Sequence, residues 1–253
     1  MQVVSPFQGI LDYEKAHNIP VGYINYSISK TSPNGTWHQL ERGEIPLDAD
    51  YFRRFKADLE DEDRWRDYHH KLATQTKSAA SASTEPLAAM TERPPVPDID
   101  AEKLFWAMMF ESRHPDPHMF PALQKLKASG RFTLAALSNT VIFPPGSPLA
   151  DVAEGDVRRI FDVFVSSAHV GMRKPDPRIY QYTMEKLREK VGPDLKAEEV
   201  LFLDDIGENL KAARALGMRT IRVMLGKTDV AVKELENILQ MDLREERQKR
   251  AKL

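Results

Sequence analysis

The amino-acid sequence predicts an α/β protein in which a Rossmann-like parallel sheet is joined to a small all-helical domain. Residues 5 to about 74 carry helical patterns and no strand pattern. From Phe132 onward, short apolar runs alternate with helical patterns, which is typical of a parallel sheet with right-handed crossovers. One such run, Val200–Leu203, ends in the adjacent acids Asp204 and Asp205. Acids at the carboxyl end of a buried strand lie where open α/β sheets bind their ligands.

The composition of the chain limits the classes of function. Its 253 residues are 42% hydrophobic and 29% charged, which suits one core with a small accessory domain. A formal net charge of −2 gives no basic surface for nucleic acid, and the absence of cysteine excludes disulfides and zinc–thiolate sites. No apolar run approaches the roughly 18 residues of a membrane span, and the N-terminus does not resemble a signal peptide. We therefore expect an intracellular protein that binds neither nucleic acid nor a membrane.

The N-terminal part of the chain is predicted to be helical. Ser5 and Pro6 suit an N-cap and a first helical position. Residues 75–100 are poor in large apolar residues and contain runs rich in Ser, Ala and Pro, so we predict a flexible linker there. Helices are predicted over residues 5–17, 21–30, 37–42, 49–60, 100–110 and 120–129.

The C-terminal part is predicted to form the sheet. Strands are predicted over residues 132–138, 161–166, 200–204 and 219–224, and helices over 176–190, 208–216 and 230–240. The resulting division has three parts. Residues 1–118 form a helical part that includes the linker, residues 119–241 form the strand-bearing core, and residues 242–253 form a charged, solvated tail.

A hydroxyl and an amide follow the first predicted strand, at Ser138 and Asn139. A hydroxyl at a strand end can donate to a phosphoryl oxygen while nearby backbone N–H groups supply further donors. An ordinary Ser/Asn turn accounts for the same residues.

A lysine follows the second predicted strand, at Lys174. Because Pro175 comes next, Lys174 is expected in extended backbone just before a helix. Its ammonium could act as a point charge at the sheet edge, or it could be an ordinary solvated lysine.

The acids Asp204 and Asp205 follow the third predicted strand. Adjacent carboxylates repel each other, so a cation nearby is expected, and Mg²⁺ with oxygen ligands is the simplest candidate. A helix N-cap followed by an acid in the first turn explains one of the two residues better than both.

The order and spacing of three segments, 137–140, 170–180 and 202–218, give a more specific indication than any one of them. Leu-Ser-Asn-Thr, Val-Gly-Met-Arg-Lys-Pro-Asp-Pro-Arg-Ile-Tyr and Phe-Leu-Asp-Asp-Ile-Gly-Glu-Asn-Leu resemble motifs of the haloacid dehalogenase superfamily. The likeness is to the subgroup related to the N-terminal phosphatase domain of soluble epoxide hydrolases. It extends from Ser5 to about Val223, and the helical part then corresponds to a cap domain.

The resemblance implies a Mg²⁺-dependent phosphatase that acts on a small phosphorylated metabolite through an aspartyl phosphate. By motif position, Ser138 would bind a phosphoryl oxygen and Asn139 would line the same pocket. Lys174 would stabilise negative charge on nucleophile and phosphate. Asp205 would be the direct Mg²⁺ ligand, with Asp204 beside it. The acid pair favours a phosphatase over a dehalogenase, because the family's carbon–halide dehalogenases need no metal.

One motif of the family is missing. The nucleophile lies in an Asp-x-Asp or Asp-x-Gly-Gly motif on the family's first strand, whereas here the first acid is Asp12, which reads as an exposed helix residue. The expected core therefore lacks its first strand, which would lie between the strands at 132–138 and 200–204. We expect impaired turnover, and the alternative is a catalytically inactive phosphate-binding or interaction protein. A misassigned start codon would explain the difference.

Two further groups of residues are weighed against simpler roles. His114, Asp116 and His118 alternate like metal ligands, but the intervening prolines favour a rigid loop. Trp37 and His38 would lie near substrate if the helical part covers the site, although packing is the simpler role of a tryptophan.

The chain ends in Ala251, Lys252 and Leu253, which resembles the Ser-Lys-Leu class of peroxisomal address. We expect recognition by the peroxisomal import receptor. A charged tail that ends this way by chance, in a cytoplasmic protein, is the alternative.

The localisation expectation has a direct test. A chain tagged at its N-terminus should co-localise with peroxisomes, and deletion of Leu253 should return it to the cytoplasm, because the receptor reads the free C-terminal tripeptide. Fluorescence imaging of both chains measures this. Identical diffuse distributions would contradict the expectation.

Overall fold

The computed structural model describes residues 7–79, 95–112, 114–147, 149–150 and 156–244. The chain divides into two compact units by contacts between residues. The helical unit comprises Pro6–Gln39 and Asp48–Met109. The strand unit comprises Met1–Ser5, Leu40–Leu47 and Phe110–Leu253. Each unit is described by itself.

The helices of the N-terminal part lie close to where the sequence predicts them. α5 was not predicted as a separate helix, and it continues to Ala79, beyond the start of the predicted linker at residue 75. The Asp61 carboxylate accepts the Arg64 N–H at 2.8 Å and so stabilises its first turn. The rest of the predicted linker, residues 80–94, lies outside the described residues. The helices are α1 Phe7–Ala16, α2 Tyr23–Lys30, α3 Thr36–Glu41, α4 Ala49–Leu59, α5 Glu62–Ala79 and α6 Ala101–Glu111.

Aromatic side chains form the core of the helical unit. Tyr51, Phe55 and Phe105 are each at most 1% exposed. Tyr51 stacks on Phe55 with ring centroids 5.5 Å apart and meets Phe105 edge-on at 5.7 Å. Trp37 packs beside the same rings, 5.5 Å from Phe55 and 6.1 Å from Phe105. These rings bury large apolar areas in geometries that aromatic pairs prefer, so packing accounts for Trp37.

The strand unit contains two pairs of short parallel strands. β1 pairs with β2, with Ser138 opposite Ser166, and β3 pairs with β4, with Asp204 opposite Arg222. Within the described residues, β1 and β3 do not pair with each other, so these two strands have not closed up. The elements of this part are α7 Met119–Ser129, β1 Ala135–Ser138, β2 Val163–Ser166, α8 Ser167–Val170, α9 Pro177–Val191, β3 Leu201–Asp204, α10 Gly207–Ala215, β4 Arg219–Arg222 and α11 Thr228–Leu239, with short 3-10 helices at Val157–Ile160 and Ala197–Glu199.

Helices cover both faces of the strand pairs. On one face, α7 and α11 pack in a cluster that includes Ile221 of β4 and Leu134 just before β1. On the other face, α9 and α10 pack in a cluster that includes Val165 of β2, Leu137 of β1 and Phe202 of β3. Because each cluster joins residues of both strand pairs to helices on one face, the unit has three layers and is of the α/β class that the sequence predicts.

The strand unit includes residues 40–47, which the sequence analysis placed in the helical part. The Ser167 hydroxyl donates to the main-chain oxygen of Glu41 at 2.6 Å. Gly43 has φ +65°, and a Cβ there would lie 2.2 Å from the carbonyl oxygen of Ala168. Only glycine fits at so close an approach and in this left-handed conformation. These contacts are not visible in local sequence patterns.

The predicted boundaries at residues 118 and 242 also differ from the structure. The Asp116 carboxylate accepts a hydrogen bond from Thr228 Oγ1 at 2.7 Å and so belongs to the strand unit. At the other end, Leu243 is 0% exposed, and its N–H bonds Glu236 at 2.9 Å. The solvated tail that the sequence predicts therefore cannot begin at residue 242, and residues 245–253 lie outside the description.

None of the helices in the described ranges combines the length and the apolar character that crossing a membrane requires.

A buried carboxylate of α1 fixes the start of α2 inside the helical unit. Glu14 is 1% exposed, and its two oxygens accept the N–H groups of Gly22 at 2.7 Å and Ile24 at 2.8 Å. These are the donors that the first turn of a helix leaves unsatisfied. Burial raises the pKa of Glu14, and the two backbone hydrogen bonds only partly oppose this.

Substitution of this carboxylate should destabilise the helical unit. Glu14→Gln keeps one acceptor oxygen but places its NH₂ group against a backbone N–H, so that two donors face each other. We therefore expect a loss of about 1–3 kcal/mol in the free energy of unfolding. Because the folded-state pKa is raised, wild-type stability relative to the variant should be highest below the ordinary Glu pKa and fall as pH rises through the raised value. Urea denaturation at several pH values measures both. Asp12→Asn, on the exposed face of α1, is the control and should change little; equal effects would contradict the assignment.

Candidate functional site

The carboxyl end of β3 carries a buried ion pair. The Lys174 ammonium lies 2.6 Å from Asp204 Oδ2, and the two side chains are 11% and 5% exposed. The ammonium also lies 5.6 Å from the centre of the Phe202 ring. The sequence predicts that Lys174 and the acids meet at this edge, and the structure brings Lys174 and Asp204 into direct contact.

Asp204 uses both of its oxygens in contacts with the protein. Oδ2 binds Lys174, and Oδ1 accepts the Ile206 N–H at 2.9 Å and the Asn209 Nδ2 at 2.9 Å. Burial by itself would raise the pKa of Asp204, but the Lys174 charge and these hydrogen bonds outweigh it and lower the pKa. Asp204 is therefore an ionised structural carboxylate that holds the start of α10 and the lysine together.

Asp205 differs from Asp204 in its hydrogen bonds to the described residues. It is partly buried, and no other residue of the described part donates a hydrogen bond to its side chain. Burial and the neighbouring charge of Asp204 raise the pKa of Asp205. A nearby cation would stabilise the ionised form of such a carboxylate, because the cation offsets both the desolvation and the repulsion by Asp204.

The two predicted site residues at the end of β1, Ser138 and Asn139, differ in the hydrogen bonds that their side chains make within the protein. Ser138 Oγ lies 3.5 Å from the main-chain oxygen of Asn139, at the limit of a hydrogen bond, so this hydroxyl is available to a ligand. The Asn139 amide, in contrast, bonds the main chain of Lys174 twice, at 2.8 and 3.1 Å. The substrate contacts assigned to both residues stay predictions.

The sequence analysis did not identify several polar residues that support this edge. Asn209 is 2% exposed and binds Asp204 from the first turn of α10. Ser167 is 0% exposed and accepts the Thr140 N–H at 2.8 Å. A polar residue at such positions reads locally as a cap or turn, and only its buried partner reveals its role. The position of Asn209 five residues after Asp204, at a helix start, was the available signal.

No cluster of three or more His, Asp or Glu side chains suited to a metal occurs in the described ranges. Asp116 accepts the N–H groups of His118 and Met119 and so begins α7, which agrees with the rigid-loop interpretation. Among the described residues of this sheet edge, Asp205 is the carboxylate to which no other residue donates a hydrogen bond. Mg²⁺ commonly binds one or two carboxylates together with substrate phosphate oxygens and water, so the site fits Mg²⁺ together with a phosphate.

Comparison with known proteins identifies related sequences. A profile of haloacid dehalogenase-like hydrolases matches residues 15–217. Mouse acyl-CoA dehydrogenase family member 10 is 39% identical over 123 residues, 49% of this chain and 10% of that protein. Rat bifunctional epoxide hydrolase 2 is 26% identical over 231 residues, 91% of this chain and 35% of that protein. Phosphatase MT3486 of Mycobacterium tuberculosis (strain CDC 1551 / Oshkosh) is 32% identical over 133 residues, 52% of this chain and 56% of that protein. The matches thus span less than two thirds of each relative.

Solved structures share the fold. A dehalogenase in an intermediate complex is 18% identical, covers 95% of this chain and 94% of its own, and has a TM-score of 0.54. A HAD-like family hydrolase from Porphyromonas gingivalis is 16% identical with the same coverage and a TM-score of 0.52. At these identities the likeness concerns the fold alone, and it confirms the predicted α/β architecture.

Removal of the lysine should expose the cost of its buried partner. Lys174→Met leaves the Asp204 charge without its cation, so we expect a loss of about 3–5 kcal/mol in unfolding free energy, with partial recovery in Lys174→Met/Asp204→Asn. Because the pKa of Asp204 is lowered, its contribution is present above the ordinary value of 3.8 and disappears as pH falls through the lowered value.

Urea denaturation of the single and double variants measures this interaction. Lys186→Met is the control, because Lys186 pairs with Glu189 on an exposed part of α9 and should matter little. Additive losses in the double variant would contradict the coupling.

Proposed function

Because the chain belongs to the haloacid dehalogenase-like hydrolase family, we propose that its sheet edge is a magnesium-dependent phosphate site of the phosphatase type. The substrate class is a small phosphate monoester. A sequence relative that carries the name phosphatase, in Mycobacterium tuberculosis, supports this choice within the family. The observation that carries the proposal is the buried Lys174–Asp204 pair, which leaves Asp205 as the free carboxylate beside a fixed ammonium.

In this proposal, four residues of the edge contribute to phosphate binding in different ways. The Lys174 ammonium is a fixed point charge that attracts a phosphoryl oxygen at the carboxyl edge of the strands. The Ser138 hydroxyl donates to another oxygen of the same group. Asp204 stays ionised and keeps the ammonium in place. Asp205 would hold Mg²⁺, which when bound neutralises charge on the phosphoryl oxygens.

We further propose that hydrolysis is impaired. An aspartyl-phosphate mechanism needs a carboxylate that is free to attack phosphorus. In the described part of the chain, the edge offers two carboxylates: Asp204 is bonded through both oxygens, and Asp205 is assigned to the metal. A protein that binds phosphate without turning it over, and acts through that binding, is the second candidate, and the same observation favours it. A dehalogenase is less favoured, because the acid pair points to a metal-dependent site.

Calorimetric titration with inorganic phosphate, with and without Mg²⁺, tests the site. Phosphate should bind more tightly when Mg²⁺ is present, and Asp205→Asn should weaken this binding at least about tenfold, or about 1.4 kcal/mol. Asp194→Asn, an exposed acid of the same unit, is the control and should leave the affinity unchanged. Binding that is absent, or insensitive to both Mg²⁺ and Asp205, would contradict the proposed site.

The same preparation tests the impairment. Release of p-nitrophenol from p-nitrophenyl phosphate with Mg²⁺ should stay near the background rate, because a lost nucleophile costs orders of magnitude. Ordinary turnover that disappears in Asp205→Asn would refute the impairment and keep the phosphate site.

A further inference from the structure

The loop between α8 and α9 is held by contacts within it and by a residue at the end of β1. Within the loop, the Asp176 N–H bonds the Arg173 carbonyl oxygen at 2.9 Å. The main chain of Lys174 bonds the side chain of Asn139, which lies 35 positions earlier and directly after β1. The position of the ammonium at the sheet edge therefore depends on β1 as well as on Asp204.

The Asn139 amide binds the Lys174 main chain in both directions. Its Oδ1 accepts the Lys174 N–H at 2.8 Å, and its Nδ2 donates to the Lys174 carbonyl oxygen at 3.1 Å. A backbone N–H can only donate and a carbonyl oxygen can only accept, so the orientation of the amide is determined by its partners. Two bonds to one residue restrict both the position and the rotation of that residue's main chain.

A lysine benefits strongly from this restriction. Its ammonium stands on a flexible four-carbon stem, and the rotamer entropy of that stem opposes a single conformation. A fixed main chain reduces the positions that the ammonium can reach, and misplacement of a reacting group by about 1 Å can cost roughly 100-fold in rate. The buried contact with Asp204 fixes the other end of the same side chain.

The buried side chain of Ser167 also supports this region. The Thr140 N–H donates to Ser167 Oγ at 2.8 Å, and that hydroxyl donates to the Glu41 carbonyl oxygen at 2.6 Å. The Glu41 carboxylate binds Arg173 Nε at 2.7 Å. One hydrogen-bonded network therefore contains Thr140, which follows Asn139, and Arg173, which precedes Lys174.

We propose that Asn139 is a positioning residue that acts through Lys174: its amide fixes the Lys174 main chain and so holds the ammonium where phosphate binds. This inference rests on the proposed phosphate site and changes the role of Asn139 in it. Both polar atoms of the amide bond the Lys174 main chain, and one Nδ2 hydrogen remains that a direct contact with phosphate would use. In this proposal the effect of Asn139 on phosphate binding is transmitted by the lysine, and the double-variant titration below distinguishes it from such a contact.

The ligand-free protein provides the first test. Protein labelled with ¹³C at lysine Cε gives an NMR signal for Lys174, which is assigned by its loss in Lys174→Arg. A held side chain shows two inequivalent ε-protons, and a freely rotating one shows an averaged pair. Wild type and the control Asn237→Ala, on an exposed part of α11, should show the inequivalent pair, whereas Asn139→Ala should show averaging. An unchanged pair in Asn139→Ala overturns the proposal.

A second variant covers a failure of Asn139→Ala to fold. Asn139→Asp keeps the acceptor for the Lys174 N–H and loses the donor to its carbonyl oxygen, so the difference between the two ε-protons should decrease. No decrease in this variant counts against the proposal in the same way. Thermal melting followed by circular dichroism shows which variants are folded.

Titration with inorganic phosphate and Mg²⁺ separates positioning from direct contact. Asn139→Ala should weaken phosphate binding about tenfold in the wild-type background and less than about twofold in a Lys174→Gln background, because a residue that acts through the lysine has no effect without it. Equal losses in both backgrounds would mean a direct contact and would overturn the proposal. If wild type binds no phosphate, the proposed function fails, while the NMR comparison still decides the role of Asn139.

Discussion

The buried contact between Lys174 and Asp204 is the interaction on which the candidate site depends. Two desolvated ions are stable together only when their geometry is good and their remaining polar atoms are satisfied. Here the Ile206 N–H and the Asn209 amide donate hydrogen bonds to the Asp204 oxygen that Lys174 does not bind. The pair therefore fixes the loop before α9 relative to the start of α10. The pair also distinguishes the two acids, because both oxygens of Asp204 are bonded, whereas no other described residue donates a hydrogen bond to the Asp205 side chain.

The same contact joins two strand pairs that share no backbone ladder in the described residues. Asn139 follows β1 and holds the Lys174 main chain, and the Lys174 ammonium holds Asp204 at the end of β3. At the carboxyl edge, side chains thus connect β1 to β3. Away from that edge, helix layers on both faces supply the connection through shared apolar clusters. At the carboxyl edge, the site and the connection between the two strand pairs consequently rest on the same few polar contacts.

Much of this architecture was predictable, because helices and strands leave periodic patterns in the sequence. The predicted strands at 132–138 and 200–204 are present in shortened form, since strand pairing begins at Ala135 and Leu201, after the start of each apolar pattern. α5 escaped separate prediction because its sequence is strongly polar around the buried Trp65 and Tyr68. The burial of Leu243 was likewise hidden, because one leucine in a charged segment has no periodic neighbours.

By itself, the sequence determined the order of elements, the family motifs and the edge at which the polar residues meet, because parallel strands present their carboxyl ends together. Only the tertiary structure decided which partners each of those residues bonds. Asn139 bonds a residue 35 positions away, and Ser167 bonds one 126 positions away. Such partners depend on how distant segments pack, and local spacing carries no record of them. That is why the sequence could name Asp204, Asp205 and Asn139 together but could not distinguish a bound carboxylate, a free one and an amide committed to a main chain.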